Sequence, residues 1–420
     1  MKRVLNELEF LTWSMGEPAN AGLACRFFAE LSIEQLSSAL ALMQERHPLL
    51  GTTLVLDERG MPWLTSDGVQ PIEPVIVDRE GDDHVLKVLE AEMALPFQAP
   101  PRPLTRVIWL RPMDARREPS DMIICGPHFL GDAVSHVIFF RDLFHLVDET
   151  PGQVTPLDEP TRQSTILPFA VRSMMPKTPV KFKRWFAFLK LFHAISSMRA
   201  KKRDPIENFA FKTSRMQFSA ALTSELVSRC KREGVTVQAA VCTAFSRRFN
   251  TIYTPVNLRD RLAVPVGDAI GLFATGSNVW MRYNGRKSFW DNARVYQKKL
   301  VKALRPSSLF FIYTLLNPAV PMSMLRQFWE LFSGSADAGR LAITNWGVLE
   351  KLGISSTMGR FRIDSFTGAV SARVNSIVIF VHTLGGTMHL QPMYNEHLIP
   401  SSEIEQIVRD ATRLLGSALK

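Results

Sequence analysis

Two kinds of pattern alternate along the first 150 residues. GLACRFFAEL (22–31), LLGTTLVLD (49–57), LTRVIWLRP (104–112) and DMIICGP (121–127) are short apolar runs that predict strands. Between them Ile33, Leu36, Leu40 and Met43 recur at helical spacing behind Ser32 and Gln35, which are placed for a capping box, and Pro48 stops that helix. DDHVLKVLEAEMALPF (82–97) opens with acids and predicts a second helix. DAVSHVIFFRDLFHLVDE (132–149) is apolar nearly all round, so it predicts a buried helix.

Residues 150–179 are rich in Pro, Thr and Ser and read as a connector. The stretch 181–204, KFKRWFAFLKLFHAISSMRAKKRD, follows with a broad apolar arc edged by lysines and predicts a helix. A second half starts near Phe211. It holds a strand-like KTSRMQFS, a helix ending at Gly234, and a helix with Thr236 as N-cap. Six further strands are predicted in TIYTPVNLR, GLFATGSNVWMRY, RLAITNWG, FRIDSF, VNSIVIFVHTL and TMHLQPMYN. SSEIEQIVRDATRLLGSAL (401–419) closes as an amphipathic helix, with Ser402 and Glu405 at box spacing. The expected organisation is layered α/β: residues 1–150, a basic connector over 151–210, and residues 211–420. There is no GxGxxG or P-loop, and the regular βαβ rhythm of a Rossmann sheet is missing.

Composition narrows the class. The 420 residues suit two units of about 200. Cys25, Cys125, Cys230 and Cys242 are scattered without a CxxC, which favours reduced cysteines and a cytoplasmic setting over a disulfide framework or zinc site. Glu7 and Glu9 interrupt the start, so it does not read as a signal peptide. No apolar run reaches the ~18–20 residues a spanning helix needs. The net charge of +10 is concentrated: between Pro160 and Arg203 there are eleven Lys or Arg and no acid. That segment could be a solvated crossover. Alternatively it could dock an acidic acyl-carrier protein, hold coenzyme A phosphates, or lie on an anionic membrane. Nucleic acid is disfavoured, because no recognised binding fold accompanies the charge.

The candidate chemistry sits in GPHFLGDAVSH (126–136). His128 falls where a strand ends and a helix begins, a place where side chains face open space from rigid supports. A neutral imidazole there can take a proton from an alcohol or amine. Asp132 opens the helix and could either cap it or turn away to pair with an arginine. His136 and His145, farther along, read as helix-packing residues, and His47 as a helix-end cap. His84, His193, His382, His389 and His397 show no metal-ligand spacing.

GPHFLGDA resembles HHxxxDG, the motif of the chloramphenicol-acetyltransferase-like superfamily of condensation domains and free-standing acyltransferases. Three more stretches resemble it in the right order: LSIEQLSSALALMQERHPLLGTTL, PVNLRDRLAVPVGDAIGLFATG and ITNWG. The first motif histidine is Pro127 here, and the glycine after the aspartate is Ala133. Trp346 replaces a leucine, and the DFGWG motif of the plant branch is absent. The resemblance implies two acetyltransferase-like subdomains in a pseudo-dimeric V with a tunnel between them, in a monomeric enzyme. It implies His128 as general base and Asp132 as a structural residue. Arg259 is the expected partner of Asp132, with Asn345, Ser277 and Asn278 as substrate-positioning residues. It also implies acyl transfer from coenzyme A or a carrier's phosphopantetheine arm to a small-molecule or lipid acceptor, in natural-product or lipid assembly. That chemistry needs no permanently bound cofactor or metal. Two alternatives stay open: a stand-alone condensation enzyme forming peptide bonds, and an inactive scaffold that holds an acyl carrier or lipid.

Overall fold

Two mixed sheets face each other in the computed structural model, which describes residues 1–148, 154–158, 163–197, 209–317, 319–333, 341–372 and 377–420. The first has six strands in the order Thr357–Met358, Phe361–Val370, Asn20–Phe28, Ser120–Pro127, Arg106–Arg111, Val75–Asp78. Ser120–Pro127 is buried at every position, which explains why DMIICGP carries no polar alternation. The helices Ile33–Arg46 and Ala133–Asp148 pack together against one face of this sheet, and His84–Ala94 packs against the other. The second sheet runs Ala274–Trp280, Thr251–Asn257, Leu341–Val348, Ile377–Leu384, Thr387–Asn395, Phe211–Thr213, and Met216–Gln217 also pairs with Thr387–Asn395. Its outer face is covered by Ala220–Arg232, Val237–Phe245, Phe289–Ala303 and Ser401–Leu419. A small sheet of Lys2–Val4, Pro62–Thr65 and Thr53–Leu56 stands apart.

The N-terminal sheet is completed by residues from the segment 211–420. Phe361–Val370 crosses over and pairs antiparallel with Asn20–Phe28, Val370 opposite Ala21 and Arg362 opposite Phe28. FRIDSF was legible as a strand but not as a crossover, because the period of a strand is the same whichever sheet it joins. Gln391, fully buried on the second sheet, locks the crossing: its Nε2 donates to the Phe366 carbonyl, and the Gly368 N–H donates to its Oε1 at 3.1 Å. Gln391→Ala leaves both backbone groups without partners, a loss of about 1–3 kcal/mol for each buried group. The expected result is a lower denaturant midpoint with the same slope, and an unchanged midpoint would remove Gln391 from the account.

Several local expectations are corrected. The last helix starts from Pro400 with no side-chain cap. Pro400 offers no side-chain acceptor, Ser401 Oγ is engaged by Tyr394 and Glu396, and Glu405 reaches Arg409 at 3.3 Å. The helix after DD starts at His84, so neither acid lies in its first turn; Asp83 at the cap position makes no side-chain cap bond, and Asp82 before it is turned to Arg26 and Arg79. KTSRMQFS divides into two short strands. The boxes at Ser32/Gln35 and the Thr236 cap form as the spacing implies. The four cysteines are free and buried. No helix among the described residues is long and apolar enough to cross a membrane.

Candidate active site

Between the two sheets lies a cavity of about 1190 Å³. One wall is Ala21, Gly22 and Leu23 with Ala369 and Val370 of the crossing strand; the facing wall comes from Thr251–Asn257, Leu341–Val348 and Ile377–Leu384. Leu8 and Leu11 of the helix Glu7–Trp13 and Met15 just after it, with Ile312, Phe328 and Trp329, make an apolar region. Arg248, Asn250 and Glu403 make a polar one, with Arg248 and Glu403 paired at 2.7 Å. Gly276 leaves room for the Tyr253 ring on this wall, since a Cβ there would sit 2.4 Å from it.

His128 lines the cavity from the single turn that follows Ser120–Pro127. Its backbone N–H donates to Ala19 O at 2.8 Å, which pins the turn to the neighbouring strand. Nδ1 lies 3.2 Å from Gly131 O. A carbonyl only accepts, so Nδ1 carries the proton and Nε2 keeps its lone pair. Burial lowers the pKa of this imidazole from 6.5, against the upward pull of the Gly131 carbonyl and the Asp132 charge, so the ring is neutral at pH 7.

Asp132 does both things the sequence left open. Its Oδ1 accepts from Ser135 N at 2.9 Å, capping the helix Ala133–Asp148, and both oxygens accept from Arg259 Nη1 at 3.1 and 3.0 Å. Phe273 N donates to Oδ2 at 2.9 Å. Arg259 Nη2 donates to Ser135 Oγ at 2.9 Å and Ala269 O at 3.2 Å, and its guanidinium lies over the Phe273 ring, 4.7 Å from the centroid. Burial opposes ionisation of Asp132, but Arg259 and the donated N–H groups outweigh it and hold the carboxyl below its usual pKa. The pair ties the start of the helix behind His128 to the loops beside the strand Ala274–Trp280. Ser135 and Asn257, whose Oδ1 accepts from Arg259 N at 3.1 Å, belong to this network and were not singled out from the sequence. Ser135 stands three residues after a helix-opening aspartate, a spacing that could have marked it.

The other expected positions divide. Asn345 lines the cavity, and its Oδ1 accepts from Gly347 N at 2.8 Å across a bulge in the strand; its amide Nδ2 has no partner among the described residues. Asn278 lines the cavity, whereas Ser277 does not. Asn278 pairs with cavity-facing Tyr253 and Ser277 with buried Thr254, so strand alternation sends Ser277 to the opposite face. His136, expected only to pack, lines the same cavity as His128; burial pushes its pKa down to about 4. It follows Asp132 by four residues and so shares its helix face, which was the available signal. Trp346 also lines the cavity. Its ring stacks on His382 at 5.1 Å, and His382 on His389 at 4.7 Å. A Cβ on Gly368 would lie 2.6 Å from that indole, so this wall depends on glycine there. Among the described residues no group of His, Cys, Asp or Glu is placed to hold a metal.

No protein-family model matches the sequence, and no curated protein matches it significantly. Solved structures do. The trichothecene 15-O-acetyltransferase of Fusarium sporotrichioides matches over 100% of this chain and 95% of its own, with 14% identity and a TM-score of 0.76. The first condensation domain of the CDA synthetase matches over 100% and 97%, with 11% identity and a TM-score of 0.72. Polyketide synthase associated protein 5 from Mycobacterium tuberculosis matches over 100% and 97%, with 15% identity and a TM-score of 0.65. At these identities the likeness is one of fold: two facing mixed sheets, one strand crossing between them and a cavity at their junction make up a chloramphenicol-acetyltransferase-like fold over the whole chain.

Proposed function

We propose that this protein transfers an acyl group from a thioester, on coenzyme A or a carrier's phosphopantetheine arm, to a hydroxyl or amine, with His128 as general base. The observation that carries this reading is the His128 tautomer: Nδ1–H is committed to Gly131 O, leaving a basic Nε2 on a ring that lines the cavity. As the acceptor oxygen or nitrogen attacks the thioester carbonyl, Nε2 takes its proton. The tetrahedral adduct then expels the thiolate, which takes that proton from the imidazolium, giving ester or amide and free thiol. General-base help of this kind contributes about 10²–10⁴-fold. Asn345 and Tyr253 are the groups proposed to steady the oxyanion. An O-acetyltransferase and a condensation domain among the structural neighbours support both acceptor classes. The apolar region of Leu8, Leu11, Phe328 and Trp329 favours a hydrophobic acyl chain or acceptor.

Thiol release from a panel of acyl-coenzyme A and acyl-carrier thioesters, measured with and without alcohols and amines, tests the proposal. Acceptor-dependent release supports it, and release driven only by water, or none, rejects it. The pH profile has a defined sign. Only neutral His128 is a base, and its pKa lies below 6.5, so kcat/KM at pH 6.5 should still exceed half of its plateau value. It should fall only as the pH drops through the lowered value. A rate already halved at pH 6.5 contradicts a base with a lowered pKa.

A further inference from the structure

The helix Val180–Ser197 is apolar on two sides. Its inner side seats Phe182, Trp185 and Phe186 against Phe328, with ring centroids 6.2, 5.7 and 6.4 Å away. Phe328 in turn lines the cavity. The outer side is also greasy. At about 100° per residue, Val180, Ala187, Phe188 and Leu191 share one arc, centred opposite Phe182 and Phe186. Phe188 is 67% exposed and Leu191 61%. Phe169, on the short helix Phe169–Arg172 just before, is 76% exposed. Cations frame this arc. Lys181 flanks one edge, Lys183 and Lys190 the other, and Arg184 sits inside it; Arg172 and Lys177 are exposed on the preceding turns. Among the described residues none of these six is in an ion pair; Lys190 donates to the neutral Gln327 at 3.3 Å. From Pro160 to Arg203 the sequence has no acid at all.

We infer that this face docks the protein on an anionic phospholipid bilayer. Phe188 and Leu191, on neighbouring turns of one face, enter the acyl boundary, while lysine and arginine stems let their charges reach the phosphates above it. A partner recognised by charge alone, such as an acidic carrier protein, would leave Phe188 and Leu191 in water. Docked this way, the bilayer lies one helix away from the cavity wall. The inference stands on surface chemistry and does not depend on the acyl-transfer reading.

Flotation of the full chain with vesicles tests it. One set is pure phosphatidylcholine and the other an equimolar mixture with phosphatidylserine. The protein should float only with the mixed vesicles, and raised salt should release it. Each cation near such a surface strengthens binding about fivefold, so K181Q/R184Q should weaken it on the order of 25-fold. F188S/L191S keeps every charge and should weaken it roughly tenfold through lost burial. All four side chains are exposed, and an unchanged thermal melt verifies each fold. No flotation with mixed vesicles overturns the inference. So does flotation indifferent to F188S/L191S, which would reduce the contact to charge. Capture of a purified acyl-carrier protein that K181Q/R184Q abolishes, with no flotation, would reassign the face to a carrier.

Discussion

His128→Ala is expected to lower kcat/KM for acyl transfer by about 10²–10⁴-fold while leaving the thermal midpoint close to wild type. Among the described residues the imidazole makes one hydrogen bond, Nδ1–H to Gly131 O, and it lines an existing cavity, so its removal opens no sealed void. Its backbone N–H to Ala19 O survives the substitution. The loss should appear in kcat more than in KM, since proton removal belongs to the transition state. His136→Ala is the informative control. His136 lines the same cavity but has, among the described residues, no hydrogen bond that fixes a tautomer, so its loss should cost far less. Equal losses at the two positions would show that the cavity needs two imidazoles, and would displace His128 as the sole base.

Asp132→Ala is expected to be the most destabilising single change in the site, by about 3–5 kcal/mol. It strands the Arg259 guanidinium, whose side chain is 9% exposed, without a counter-charge, and leaves the Ser135 and Phe273 N–H groups without their acceptor. Set against a typical total of about 5–15 kcal/mol, that is a large fraction. Asp132→Asn keeps one acceptor oxygen and should fall between wild type and alanine. Arg259→Lys cannot span Asp132 and Ser135 together, so it should behave almost like a deletion. The pH dependence follows from the lowered carboxyl pKa: the pair's contribution is complete above the unfolded value near 3.8 and disappears as pH falls through the lower folded value. Asp132→Asn should therefore flatten the acid limb of the stability curve. Denaturant midpoints at neutral and acid pH measure both effects, and equal acid sensitivity in wild type and Asp132→Asn would remove this pair as its source.

Much of this was written in local pattern. The greasy helix after GPHFLGDA, the capping box at Ser32 and the N-cap at Thr236 are short-range features, and the chain forms them as its spacing implies. The motif stretches placed His128 at the strand end and put Arg259 opposite Asp132. What stayed hidden depends on long-range pairing. The strand Phe361–Val370 carries no mark of which sheet it joins. Ser277 and Asn278 are neighbours in sequence, and only register against Tyr253 and Thr254 separates them. His136 looked like packing because the space it faces is assembled from strands far along the chain. The cap expected at Ser402 failed because Pro400 occupies the cap position and Ser401 answers to Tyr394 and Glu396.

In the proposed mechanism the acyl group passes directly from thioester to acceptor with help from the His128 base, without an acyl-protein stage. Intact-mass analysis of the protein and its products, after incubation with an isotopically labelled acyl thioester and an acceptor it turns over, measures this in one step. The label should be found in the acceptor, in amounts that match the free thiol, with the protein at its unmodified mass throughout. A labelled acyl adduct on the protein that decays as product forms would contradict the account, because His128 would then be acting as nucleophile or assisting one.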